Sequence, residues 1–326
     1  MRAWVSAAVA LAACALAGCA LAGCGLQSGQ VIADSVRPGS VGGGRTLAGA
    51  HLTVASKADT EQRLLGQITG LVLKAAGATV RDKTGISGSI GARQAILSGT
   101  ADAMYDYTGT AWITYLGHTG PIPDPQAQWR AVRGEDAHNG VTWLPPATLN
   151  NTYAFAVNAA NRDRYRLTSL TDVASLFRRD PAAVTICADN EFAIRQDGLP
   201  GVLKAYGISL PKARIMTMDA GLIYTQVAAG RPCVLGDVYA TDGRIPADRL
   251  TVLRDDKHFF PDYNAAPVIH TRTLERYPQI ARLLAPVTAK LTTEEARRLN
   301  AQVDVDGRDV RDVAKAWLTK KGFIRP

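Results

Sequence analysis

ADAMYDYTGTAWITYLG, residues 101–117, reads as a strand running straight into a helix. Ala101 to Tyr107 forms the strand, Thr108 is placed to cap the helix, and Ala111-Trp112-Ile113-Thr114-Tyr115-Leu116 continues it. A helix N-terminus leaves backbone N–H groups unpaired and carries partial positive charge, which suits a carboxylate. Tyr107 beside it offers a π face, which suits a cation. One strand-to-helix joint therefore has the means to hold both ends of a zwitterion.

The flanking chain repeats the same rhythm. Leu52 to Ser56 alternates like a strand and leads into a helix, with Asp59 as N-cap and Gln62 three residues on, the spacing of a capping box. Leu64, Ile68, Leu71 and Ala75 share one helical face, and Gly77 ends the run. A strand (ATVRDK) and a helix from Ser89 to Leu97 complete the unit. Beyond a proline-rich break (GPIPDPQAQ), Val141 to Leu144 and Thr152 to Asn158 read as strands around Pro145-Pro146. A helix from Thr171-Asp172, strands at Val184–Ala188, Val234–Tyr239 and Leu250–Leu253, and a helix at Ala220–Ala229 follow. The tail reads as three helices, Leu274–Leu284, Thr293–Asn300 and Val310–Lys320. Strand alternating with helix predicts an α/β fold with a largely parallel sheet. Such sheets bind ligands at the carboxyl ends of their strands. Here those ends carry Ser56-Lys57, Asp106-Tyr107, Glu191 and Tyr239, a set richer in aromatic walls than in nucleophiles.

The N-terminus is different material. Arg2 precedes a run from Val5 to Leu21 that is nearly all Ala, Leu and Val, the composition of a secretory signal peptide over residues 1–23. It ends Leu21-Ala22-Gly23-Cys24, which resembles the bacterial lipobox, so Cys24 is the expected lipidated residue and anchors the protein to the outer face of a membrane. Leu16-Ala17-Gly18-Cys19 has the same spacing; Cys24 is preferred because the apolar run stops there. Residues 24–50, rich in Gly and Ser, read as a flexible tether. In the body only Cys187 and Cys233 remain, and an exported pair is as compatible with a disulfide as with two buried thiols.

Composition narrows the function. The 326 residues are 47% hydrophobic and 20% charged, enough for a sizeable core, and the net charge of +8 is dispersed among acids. No basic block with interleaved aromatics marks a nucleic-acid partner. His51, His118, His138, His258 and His270 lack metal-ligand spacing, and no G-x-S-x-G elbow, P-loop or dinucleotide fingerprint occurs. Asp255-Asp256 are adjacent, so on a strand they point to opposite faces. The residues support neither catalysis nor a cofactor.

Longer phrases carry a resemblance. SKADTEQRLLGQ (56–67), AILSGTADAMYDYTGTAWITYLG (95–117), WLPPATLNNTYAFAV (143–157), EFAIRQDGLPG (191–201), YATDGRIPADRLTVLRDDKHFFPDYNAAPVI (239–269) and LNAQVDVDG (299–307) appear in the order found in one family. The chain resembles the substrate-binding protein of osmoprotectant ABC importers, which bind glycine betaine, choline, carnitine and related quaternary amines. The resemblance implies a two-lobed, clam-like binding fold, crossed by the chain near Leu149–Thr152 and Phe260–Tyr263. Lobe one is then 51–150 with 263–326, and lobe two 151–262. It also implies a monomer without cofactor, working with a permease and an ATPase.

Carried over position by position, Tyr107 of YTGT, Tyr153 of NNTY, Tyr239 before TDGRI and Tyr263 of FFPDY are expected to box a trimethylammonium group. Lys57, Thr110 and Arg195 are expected at the carboxylate. Ser87 and Gln62 match polar cleft residues more loosely, and Tyr224 is an additional candidate wall. Ala58 stands where the family commonly has Phe, which leaves less apolar bulk at the cleft mouth. Two alternatives stay open: tyrosine walls also stack on rings, so a phenolic or other ring-bearing solute fits the same cleft, and the fold also serves ligand sensing without transport.

Overall fold

The computed structural model describes residues 30–326. The expected signal peptide and the lipidated Cys24, with its rival Cys19, lie outside the described residues.

Two sheets divide the strands. In chain order β1 (Gln30–Val31), β2 (Arg37–Pro38), β3 (His51–Lys57), β4 (Thr79–Ile86), β5 (Ala103–Tyr107) and β6 (Val141–Trp143) come first. β7 (Tyr153–Val157), β8 (Ile186–Ala188), β9 (Ile215–Thr217), β10 (Leu235–Tyr239) and β11 (Thr251–Leu253) follow. β12 (Ala265–His270) and β13 (Ile324–Arg325) complete the series. The first sheet has the order β1-β4-β3-β5-β12-β6, the second β11-β7-β10-β8-β9, and β13 pairs with β2. The chain thus leaves the first sheet after β6 and returns to it at β12, which inserts between β5 and β6. The molecule is a two-lobed α/β binding fold.

The two connections run side by side. Asn151 N–H donates to the Tyr263 carbonyl at 3.1 Å, Ala265 N–H to the Leu149 carbonyl at 3.2 Å, and Tyr263 N–H to Asn150 Oδ1 at 2.8 Å. A pair of hydrogen-bonded segments of this kind can bend together, which is how a hinge keeps its backbone groups satisfied while the lobes move.

Both sheets are mixed rather than largely parallel. β3 is parallel to β4 and β5, and β8 to β9 and β10, but β12 runs antiparallel to β5 and β6, and β7 antiparallel to β10 and β11. Apart from the short edge strand β1, antiparallel to β4, the antiparallel members are the strands that follow the two transfers. A strand entering from the other lobe has no crossover helix to force a parallel direction.

α1 (Thr60–Ala75) anchors the first core. Asp59 caps it by accepting from Gln62 N–H at 3.1 Å. Leu64, Ile68, Leu71, Val72 and Leu73 are buried all round the helix because the sheet lies on one side and the C-terminal helices Thr293–Asp304 and Val310–Lys320 on the other. Full burial of each such side chain contributes about 1.5–3 kcal/mol. α2 (Ser89–Leu97) and the helix Ala220–Ala229 occupy the expected spans.

Other expectations are corrected. Residues 30–50 are no free tether: Ile32, Val41 and Leu47 are buried in the core, and Ile32 N–H donates to the Val80 carbonyl at 2.9 Å. Three apolar side chains inserted at irregular spacing hold this segment down despite its glycines. The proline-rich break contains a helix, Pro125–Asp136, because Pro at the first turn lacks an N–H that would be unpaired anyway and Asp124 caps the helix by accepting from Ala127 N–H. The expected helix Leu274–Leu284 is two, Thr271–Arg276 and Gln279–Thr288, broken where Pro278 forces Tyr277 out of helical geometry (φ −131°, ψ 65°). Thr108 is no N-cap; Tyr107 holds that position, and the Thr108 hydroxyl accepts from Gln128 Nε2 at 3.1 Å instead. Cys187 and Cys233, both fully buried, form a disulfide between β8 and the entry to β10.

Candidate ligand-binding site

β3 ends at Lys57 and β5 at Tyr107, so parallel neighbours deliver both side chains to one edge of the first sheet. Across the gap, β7 begins at Tyr153 and β10 ends at Tyr239, paired directly opposite each other. Tyr263 arrives from the returning connection. These residues, with Thr110, Arg195 and Ser87, line one cleft of about 250 Å³.

The aromatic walls pack on each other. Tyr153 lies 5.4 Å from Tyr239 and 5.3 Å, edge-on, from Tyr263, ring centre to ring centre. Gly109 makes the last approach possible: a Cβ there would meet the Tyr263 ring at 2.7 Å. Three of the phenols are tied to carboxylates. Tyr107 donates to Glu61 at 2.6 Å, Tyr263 to Asp197 at 2.7 Å, and Tyr239 to Asp189 at 3.4 Å. Burial, reinforced by these acids, pushes all three phenols well above their ordinary value, and burial does the same for Tyr153. The rings therefore stay neutral, held at fixed angles with their π faces open to a cation.

Both cations are already paired. Lys57 Nζ lies 2.9 Å from Asp106 Oδ1 and 4.6 Å from the centre of the Tyr107 ring. Arg195 Nε donates to Asp197 at 2.8 Å, its NH1 to Glu191 at 2.7 Å, and its NH2 to Thr110 Oγ1 at 3.5 Å. Lys57 and Arg195 share the lining with Asp59, Asp189, Glu191 and Asp219, so the cleft has an excess of acid. Such a surface draws positive charge.

Two expected residues do not reach the cleft. Gln62 is fully buried in α1, its side-chain amide has no partner among the described residues, and only its backbone N–H is used, at the Asp59 cap. The capping box is therefore half made. Tyr224 is 1% exposed and stands behind the cleft, where its hydroxyl accepts the Tyr239 N–H at 3.1 Å and Arg244 lies 4.1 Å above its ring. It buttresses a wall instead of being one. Ser87 lies exposed at the rim, whereas Ser89, not among the expected residues, turns inward.

Residues 50–320 match the sequence profile of a family described as the substrate binding domain of ABC-type glycine betaine transport system, OpuAC. The chain belongs to this family. A glycine-betaine-binding protein of Pseudomonas aeruginosa is 38% identical over 278 residues, 84% of this chain and 88% of the relative. YehZ of Escherichia coli, a glycine betaine-binding protein, is 33% identical over 85% of this chain and 93% of its own. Its solved ligand-free structure superposes with a TM-score of 0.62, over 85% of this chain and 100% of that one. A structure titled as a glycine betaine/carnitine/choline ABC transporter gives 0.68 at 26% identity, over 83% of this chain and 99% of the other. The family is one of transport substrate-binding proteins rather than enzymes.

As an OpuAC-family cleft, this one includes Asn151, for which no role was expected, and Glu191, expected only as a strand-end residue. Asn151 donates to the Tyr107 hydroxyl at 3.3 Å, and Glu191 accepts from Ser89 N–H and Oγ at 3.0 and 2.6 Å. The Glu191–Arg195 spacing of four in EFAIR was the available signal for that pair. Asp59 and Asp219 gave none, since an acid before a helix reads as a cap.

Proposed function

We propose that the chain is the extracytoplasmic solute-binding component of an ABC importer, anchored by lipid at Cys24. It takes a quaternary amine such as glycine betaine, choline or carnitine between its lobes and delivers it to a permease driven by an ATPase. On this reading lobe one is 30–150 with 263–326 and lobe two is 151–262, and one chain supplies a complete site. The observation that carries it is the convergence of Tyr107, Tyr153, Tyr239 and Tyr263, drawn from both sheets and the returning connection, on one acid-rich cleft. A trimethylammonium donates no hydrogen bond, so π faces and shape must hold it, each wall contributing about 0.5–2 kcal/mol when desolvated. Offset by lost ligand freedom, four walls give affinity of roughly micromolar order. Lys57, Thr110 and Arg195 are the groups placed to receive a ligand carboxylate, once it takes over from Asp106 and Glu191, their present partners.

Calorimetric titration of the purified protein tests this directly. Choline and glycine betaine should bind, and ethanolamine and glycine, which lack the methyl groups, should bind at least about tenfold more weakly. Equal binding of methylated and unmethylated ligands, or binding of neither, contradicts the reading.

A further inference from the structure

Glu191 already makes the bonds that a ligand carboxylate would seek. Its Oε2 accepts the Ser89 N–H at 3.0 Å, and its Oε1 accepts Ser89 Oγ at 2.6 Å and Arg195 NH1 at 2.7 Å. Ser89 is the first residue of α2, a nine-residue helix whose N-cap, Gly88, offers no side chain to the free backbone donors. A helix N-terminus, a hydroxyl and a guanidinium are a complete anion-binding set. The carboxylate filling it belongs to the segment between β8 and β9, whereas α2 belongs to the first sheet's side. The side chain of Glu191 is 29% exposed and lines the cleft, so it borders the space a ligand would enter.

Among the described residues, no cation lining the cleft is left over. Lys57 is matched by Asp106, and the other edge of Arg195 by Asp197. Burial works against a charge on Glu191, but Lys57 and Arg195 more than offset it and hold its carboxyl below the ordinary value. It is therefore an anion at neutral pH. A second carboxylate cannot share the same three donors without repulsion from the first.

We infer that Glu191 is a resident carboxylate occupying the anion subsite of the cleft, so that a zwitterionic ligand must displace it whereas a simple quaternary ammonium cation binds with it in place. This rests on the proposed quaternary-amine reading and adds the ligand class to it: the wild-type cleft discriminates in favour of cations without a carboxylate. Glu191 acts as a specificity-determining residue by denying Ser89 and Arg195 to the ligand.

The test is calorimetric titration of wild type, Glu191→Gln and Glu191→Ala with choline and with glycine betaine at one ionic strength. Gln keeps the shape and removes the charge; Ala vacates the subsite. In both variants the ratio of the glycine betaine Kd to the choline Kd should fall by about tenfold or more, one decade of affinity being a modest effect for a charge-assisted subsite. A ratio unchanged or moved toward choline, in variants that still bind, overturns the inference alone. If wild type binds neither ligand, the quaternary-amine reading fails and the inference falls with it.

Discussion

Glu61 sits behind the Tyr107 wall and joins it to the other lobe. It accepts from the Tyr107 hydroxyl at 2.6 Å and from Asn300 Nδ2 at 3.2 Å, and Asn300 also donates to the Thr241 carbonyl at 3.0 Å. Burial pushes the Glu61 carboxyl from 4.5 up to about 7. The folded protein then binds a proton there that the unfolded chain has released, so this contribution to stability is complete below pH 4.5 and is lost as pH rises through 7. The difference of about 2.5 units, at 1.36 kcal/mol each, amounts to about 3 kcal/mol. Glu61→Gln keeps a hydrogen-bond acceptor for Tyr107 and does not titrate. Urea denaturation at pH 5 and pH 8, which spans most of that range, should show the variant gaining on wild type by roughly 2–3 kcal/mol between the two. A constant difference would mean that Glu61 titrates normally.

Among the elements, the disulfide between Cys187 and Cys233 fastens β8 to the start of β10, the strand that ends in Tyr239. Cross-linking residues 46 apart restricts the unfolded chain, a contribution of about 2–4 kcal/mol. The double variant Cys187→Ser/Cys233→Ser should lose that much in urea denaturation under oxidising conditions; an unaltered midpoint would show that the thiols are not joined. From sequence this pair was undecided, because two buried strand cysteines look alike whether joined or not. Elements with a cap or a helical period were legible: Asp59 opening α1, and the helical runs Ala220–Ala229 and Val310–Lys320. β12 was not, since Pro267 in its middle reads as a break, yet the strand pairs on both sides and gives its Pro267 carbonyl to Leu144 N–H at 2.9 Å. The cleft residues carried by long phrases were legible for the same reason that Gln62 and Tyr224 were not. YTGT and NNTY sit at strand ends, where direction follows from topology, whereas a side chain on a helix flank can face cleft or core.

At the scale of the molecule, side chains from the two sheets' sides meet across the cleft. Ser89 meets Glu191, Arg195 meets Thr110, and Arg297 donates to the Ala240 carbonyl at 2.6 Å. Walls from both sides mean that a bound cation adds contacts only where the lobes are together, so ligand and closure support each other. The central claim is that a quaternary ammonium sits among those four rings. A crystal structure of the protein grown with choline tests it most directly. The account predicts the nitrogen within about 6 Å of the ring centres of Tyr107, Tyr153, Tyr239 and Tyr263. Choline bound with its nitrogen away from these rings, or outside the cleft between the lobes, would contradict it.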